Sequence, residues 1–407
     1  MPDRDPRCRV VAFGTFRTDL HPRVAVLLDG LREHGLEVDV VNAPLPLDTA
    51  RRVALLRRPW RLPQLAFALL RCWAVLWVRG RRAARRPPDA VLVGYLGHFD
   101  VHLARAVFGR GPTLVLDHLV FAADTAVDRR VTGRRRLALL RRLDRWALRR
   151  ADVVVCDTEE HAVRARAAGA GRVLTVPVGA TAAWWDLDPP GRSDVLRVLF
   201  FGLFTPLQGT VTIAGALRAV PADVPLAVTL VGHGQDHDAV ARLAGDDDRV
   251  RLVPWLAEAD LRREVAAHDV VLGVFGTGDK ARRVVPTKVY QGLAAGRVVV
   301  TSDTPPQRRA LGDAAVLVPP GDAPALAQAL VRLAGDPEER RALRARARRR
   351  AADFRPGPAT SELASLLAAA VRSPVRSPAG RGPDTVPAAP PVARPRPRVP
   401  PPPSAHT

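Results

Sequence analysis

Short runs rich in β-branched and aliphatic residues recur along the chain, separated by longer segments of alanine, leucine and arginine. Runs at 10–13, 38–41, 90–93, 114–117, 153–156 and 173–176 form one series; those at 198–201, 228–231, 250–253, 270–274, 298–301 and 315–318 form a second. Their positions are largely apolar instead of alternating with polar ones. A strand of that kind is covered on both faces, as in a parallel sheet wrapped by helices. The series break at residues 184–191, where two tryptophans precede Asp-Leu-Asp-Pro-Pro-Gly. The pattern predicts an α/β chain of two Rossmann-like domains, residues 1–185 and 186–372, with parallel sheets facing across a cleft. Ligands in such sheets bind beyond the carboxyl ends of the strands.

Past residue 371 the composition changes: residues 373–407 hold twelve prolines with many Arg, Ala and Ser and little to bury. A disordered tail of polyproline-II character is expected, either a solvated extension or a ligand for a proline-reading domain. Residues 51–86 are the second departure, with Trp60, Trp73 and Trp77 set among leucines and arginine clusters. That composition suits a helix in an anionic lipid interface, and equally a covering helix with a solvated basic end. The longest uncharged run, 198–217, contains Pro206, Gly209 and three threonines, so it reads as strand, loop and helix and not as a membrane span.

Charge narrows the partners. Sixty-two Lys+Arg against 41 Asp+Glu give a formal charge of +21, which favours nucleotides, polyphosphates, nucleic acid or an acidic membrane face. No helix-turn-helix, zinc-finger or aromatic-basic signature accompanies the charge, and the arginines are spread along the chain, so nucleic acid is not expected. Cys8, Cys72 and Cys156 lie far apart in no paired spacing, which suits a reducing compartment. The opening Met1-Pro-Asp-Arg-Asp lacks the apolar core of a secretory leader. A cytoplasmic protein is expected, with residues 51–86 as a means of peripheral attachment to the inner face of the membrane.

Only two of the basic residues are lysines, Lys280 and Lys288, and both precede or open the segment Pro286-Thr-Lys-Val-Tyr-Gln-Gly-Leu-Ala-Ala-Gly296. An ammonium is a compact point charge and a guanidinium a planar fork, so the two do not exchange at a tight phosphate site. This segment is the first candidate for chemistry; the plain alternative is two surface lysines left over in an arginine-rich composition. Pro286 suits a helix start, and Lys288 and Gln291, three apart, can present a cation and an amide from one face. Two glycine-bounded turns precede it, Gly202 to Gln208-Gly209 and Gly232-His-Gly234. Glycine at a strand-to-helix turn lets backbone N–H groups approach an anion near the positive end of the helix. His233 is a candidate ligand contact there, and Gly14, in the corresponding place after the first strand, joins the donor-binding set.

Taken in order, Gly202…Gln208-Gly209, Val231-Gly-His-Gly234, His268-Asp-Val-Val-Leu-Gly273, Gln291-Gly-Leu-Ala-Ala-Gly296 and Leu317-Val-Pro-Pro-Gly-Asp322 resemble the donor domain of glycosyltransferase family 4, of GT-B fold. The likeness spans residues 8–370. It implies transfer of a sugar from a nucleotide diphosphate donor to a glycan, lipid-linked or small-molecule acceptor bound mainly by the first domain. It also implies retention of anomeric configuration, no metal, and no cofactor, the nucleotide sugar being a substrate. The family usually grips the diphosphate with an Arg and a Lys in the first loop, where this chain has Leu203 and Gln208. Of the family's two glutamates, Gln291 holds the second place, and Arg283 stands eight residues earlier. On this reading Lys280, Arg282, Arg283 and Lys288 supply the missing cations, with Lys280 and Lys288 catalytic.

In the first domain, His98 and Asp100 follow one strand, Asp117 ends the next, and Asp124 comes shortly after. Such groups can orient an acceptor hydroxyl and take its proton, although carboxylates also pair arginines and cap helices. His98 is the expected catalytic histidine, at a position where family 4 enzymes often carry one; Asp100, Asp117 and Asp124 are the acceptor-side candidates. The triplets Asp186-Leu-Asp188 and Asp236-His-Asp238 fall in the linker and at a helix start, so neither predicts a metal. A nucleotide-sugar epimerase on the same fold, and a nucleotide- or membrane-binding module without turnover, stay open as alternatives.

Overall fold

The computed structural model describes residues 8–17, 22–45, 62–129, 133–191, 193–245 and 247–372. The tail at 373–407 and the part of the arginine–tryptophan segment holding Trp60 lie outside them. All twelve expected strands are present. β1 (Arg9–Gly14), β2 (Glu37–Asn42), β3 (Ala90–Val93), β4 (Thr113–Asp117), β5 (Val153–Cys156) and β6 (Arg172–Thr175) form a sheet in the order β2-β1-β3-β4-β5-β6. β7 (Leu196–Phe201), β8 (Leu226–Val231), β9 (Val250–Val253), β10 (Val270–Leu272), β11 (Val298–Ser302) and β12 (Val316–Val318) form another, ordered β12-β11-β10-β7-β8-β9. Every pairing is parallel.

Helices make the crossovers. α1 (Pro22–Glu33), α2 (Leu62–Ala83), α3 (Asp100–Phe108), α4 (Ala122–Asp128), α5 (Arg134–Leu148) and α6 (Glu159–Ala167) accompany the first sheet. α7 (Thr210–Ala219), α8 (His237–Ala244), α9 (Glu258–Ala267), α10 (Thr287–Ala294), α11 (Pro305–Leu311), α12 (Ala323–Gly335) and α13 (Pro337–Ala351) accompany the second, and α14 (Pro356–Arg372) follows. Covering on both faces explains why the strands read as unbroken apolar runs. Val11 and Phe13 of β1 enter one cluster while Val10 and Ala12 enter another, and Val198 and Phe200 of β7 divide from Leu199 and Phe201 in the same way.

The final helix crosses back. Leu363, Ala364 and Leu367 of α14 pack with Val10 and Leu27 of the first sheet's core. A Cβ on Gly30 of α1 would lie 2.2 Å from the Pro356 carbonyl oxygen, so the two helices meet where α1 has no side chain. The chain thus passes between its halves twice, once through residues 184–191 and again just before α14. No helix among the described residues is long and apolar enough to cross a membrane.

Candidate functional site

The carboxyl ends of both sheets open onto one cavity of about 570 Å³. Pro22, Arg23, Tyr95 and Leu119 line it from the first sheet's side, and Gly202, Gly232, Trp255, Glu258, Thr287 and Gln291 from the second, with Thr181 and Trp184 between. Gly202 and Gly232 have φ of 137° and 142°, and a Cβ on Gly232 would fall 1.9 Å from the Gly202 carbonyl oxygen. Only glycine permits that meeting of strand ends. Their N–H groups donate to Val231 and Val253 carbonyls, so these glycines act by close approach and not as anion donors. Gly209 and Gly234 admit the backbones of Phe275 and Phe204 similarly. His233 is exposed and stacks on His237 at 4.4 Å.

Lys288, on the first turn of α10, is buried. Its Nζ donates to Gln208 Oε1 at 2.7 Å and lies 3.6 Å from the centre of the Phe200 ring. A Cβ on Gly202 would come within 3.0 Å of it. No carboxylate among the described residues pairs with this amine, and burial holds its pKa well below the ordinary lysine range. The resemblance puts the family's loop lysine at Gln208; here that amide oxygen receives a lysine brought from α10. Gln291, also buried, stands three residues on and faces the cavity.

The other expected cations lie elsewhere. Lys280 Nζ donates to Thr125 Oγ1 at 3.2 Å, and burial lowers its pKa, opposed by Asp128 and Asp124. Arg283 Nη2 donates to Asp124 Oδ2 at 2.9 Å, while its carbonyl accepts from Thr158 Oγ1 at 2.7 Å. Arg164 takes the other oxygen of Asp124 at 2.7 Å. Lys280, Arg283 and Asp124 therefore tie the second sheet's loop to α4 and α6, and none of the three lines the cavity. Arg282 Nε donates to the Thr277 carbonyl at 3.2 Å.

On the first sheet's side, Asp100 accepts from Thr15 N–H and Oγ1 and, at 2.9 Å, from Trp73 Nε1. It braces the β1 loop beside Gly14, whose Cβ would lie 3.0 Å from Asp100 Oδ2. Asp117 is deeply buried and takes Arg23 Nε at 2.7 Å; burial holds its carboxyl above the ordinary range, with Arg23 opposing. Arg23 also donates to the Val176 and Pro177 carbonyls, fixing its place in the cavity wall. His98 Nε2 bonds Asp144 Oδ1 at 2.9 Å.

Sequence reasoning missed His118, the residue after Asp117. Its ring lies 5.0 Å from that of His98, and its buried Nε2 has no hydrogen-bond partner among the described residues. Burial, then the neighbouring His98 and His161, depress its pKa well below the usual value, so the ring is neutral. His98, His118 and Asp144 bring ligating atoms within 4.8 Å of one another. They offer two imidazoles and a carboxylate to a metal, but Asp144 already accepts from His98 and from the N–H groups of Ala122 and Ala123 at the start of α4. Trp255 was missed too; it stands 70 % exposed just past β9, at the cavity. A histidine after one strand and a tryptophan after another were the available signals.

Two doubly wound units facing across such a cavity define a GT-B fold. The solved structures agree. Sucrose-phosphate synthase from Thermosynechococcus elongatus is similar at TM-score 0.64 and 17% identity, over 90% of this chain and 98% of that one. HepE from Anabaena, in complex with UDP and glucose, gives 0.61 and 16%, over 89% and 100%. A glycosyltransferase from Rickettsia africae ESF-5 gives 0.60 and 10%, over 90% and 99%. Within this frame, residues 196–336 match the family described as Glycosyl transferases group 1, so the second half carries the domain of a glycosyl-transferring enzyme. No curated protein matches the sequence.

Proposed function

We propose that the cleft transfers a sugar from a nucleoside diphosphate donor to a glycan, lipid-linked or small-molecule acceptor, with retention of configuration and without a metal ion. Lys288 carries the reading. A desolvated amine with no carboxylate, set behind Gly202 at the edge of the cavity, is a site waiting for an anion. When the nucleoside diphosphate leaves, charge develops on its β-phosphate, and a fixed ammonium in a water-poor wall stabilises that charge far better than water does. Gln291 offers an amide to the ribose, and the Trp255 ring offers a flat face to the base. HepE's complex with UDP and glucose supports a nucleotide sugar here. Retention rests on the likeness to family 4, and metal independence on Lys288 serving as the cation for the departing β-phosphate.

The surface suits peripheral attachment at the cytoplasmic face of a membrane. α2 exposes Phe67, Leu70, Trp77 and Val78 among Arg71, Arg79, Arg81 and Arg82. Apolar side chains framed by arginines match an anionic lipid interface.

A panel of nucleotide sugars tests the donor reading. At least one should raise the unfolding midpoint and then be consumed, by transfer or slow hydrolysis. An epimerised donor formed without acceptor would replace transfer by epimerisation; stabilisation without turnover would leave a binding module; no stabilisation by any donor would defeat the proposal.

A further inference from the structure

The opposite end of the second sheet gathers positive charge without its counterpart. Arg197 is the second residue of β7, Asp269 precedes β10 and Arg297 precedes β11, all at the amino ends of parallel strands, away from the cavity. Arg344 and Arg348 reach the same place from α13; Arg348 Nε lies 2.3 Å from where a Gly296 Cβ would stand. Asp269 is the carboxylate among them and is taken by Arg197, through Nε at 3.1 Å and the backbone N–H at 3.1 Å. Arg297 is 0% exposed. Its Nη2 donates to the Asp188 carbonyl, but its buried Nε and Nη1 have no partner among the described residues. Neither Arg344 nor Arg348 makes an ion pair or hydrogen bond among the described residues, and Asp269, already held by Arg197, is the carboxylate near enough to act on Arg344 and Arg297.

Buried guanidinium N–H groups are almost always satisfied, and leaving several beside further cations is costly. Burial, then repulsion from Arg348 and Arg344, pushes the Arg297 guanidinium down to about 10, and Arg344 is lowered as well, by burial first. The remedy of matching chemistry is an oxyanion, which guanidinium forks bind through paired N–H groups.

We propose that Arg297, Arg344 and Arg348 form a binding site for a phosphate-class oxyanion on the face of the second domain remote from the cleft. Arg297 holds the Asp188 carbonyl and Arg197 that of Gly191 at 2.6 Å, so the ion fastens the linker between the halves to the second sheet. The site is independent of the donor reading, because none of its residues lines the cavity.

Thermal unfolding of the full chain in inorganic phosphate, against sodium chloride at equal ionic strength, tests it. Phosphate should raise the wild-type midpoint saturably by roughly 2–4 °C. The Arg344→Ala/Arg348→Ala variant should lose that rise, while Arg341→Ala/Arg349→Ala, removing equal charge from the same helix, should keep it. No phosphate-specific rise in the wild type, together with no phosphatidylglycerol binding that the Arg344→Ala/Arg348→Ala variant loses, would overturn the site. An equal rise in the Arg344→Ala/Arg348→Ala variant would place the ion elsewhere, the donor cleft included, and overturn it too. A phospholipid headgroup carries the same chemistry. Binding to phosphatidylglycerol vesicles that this variant loses, with free phosphate inert, would replace the free ion by a lipid.

Discussion

A lysine buried without a carboxylate either sheds its proton or meets an anion. Among the described residues Lys288 has no carboxylate, and its position behind Gly202 supplies the second route. Lys288→Ala should lower turnover by about 10²–10³, the loss typical of one donor aimed at developing charge, with the circular dichroism spectrum unchanged. Lys288→Arg should be impaired as well, because a planar fork does not fit a pocket shaped for a point charge. Wild-type rates in the alanine variant would remove Lys288 from the chemistry. Lysine scarcity singled out Lys280 and Lys288 equally in the sequence. Spacing alone could not show that one turns behind the Gly202 loop while the other reaches Thr125 across the halves. His118 makes a separate prediction. Its folded pKa is depressed, whereas an unfolded histidine titrates near ~6.5, so below that pH the unfolded chain binds the extra proton. Stability should therefore fall as pH drops through ~6.5 toward the folded value. His102 and His268 are depressed by burial as well and add to that slope, so His118→Asn should lessen the slope of the denaturation midpoints over that window; an unchanged slope would mean that the ring is not held neutral.

Among the elements, α2 gives the sharpest contrast between what a pattern shows and what packing decides. Its tryptophans look alike in sequence, yet Trp73 turns inward to Asp100 and Trp77 is 45 % exposed. Which ring faces inward follows from where Asp100 sits at the start of α3, and that is a tertiary fact. The wild type should sediment with anionic but not neutral vesicles and be released by salt, at about 1 kcal/mol per basic residue near the surface. Trp77→Ala should weaken the salt-resistant part and leave the fold intact, whereas Trp73→Ala should destabilise the packing of α2 against α3 and the first sheet. If the folded wild type ignores anionic vesicles, α2 is a covering helix only. α14 shows the same limit from another side: its apolar stripe announces burial, but only the close approach at Gly30 places it on the first sheet.

The whole molecule was legible where period and composition act directly. Each strand lies within a few residues of its apolar run, because strands covered on both faces have no polar side to blur the signal. The site was legible as a set of loops: Gly202, Gly232 and Gln291 do meet at the cavity. What stayed hidden was direction. Arg283 and Asp124 pair with each other across the halves, and a residue as ordinary in sequence as Trp255 stands at the cleft. The central claim is that this cleft binds a nucleoside diphosphate against Lys288. Isothermal titration with a series of nucleoside diphosphates, each run in two buffers of different ionisation enthalpy, tests it most directly. At least one should bind with net proton uptake, as the depressed amine recovers its charge, and Lys288→Met should bind more weakly with that uptake gone. Binding by none of them to the folded protein, or the same proton uptake in Lys288→Met, would contradict the account.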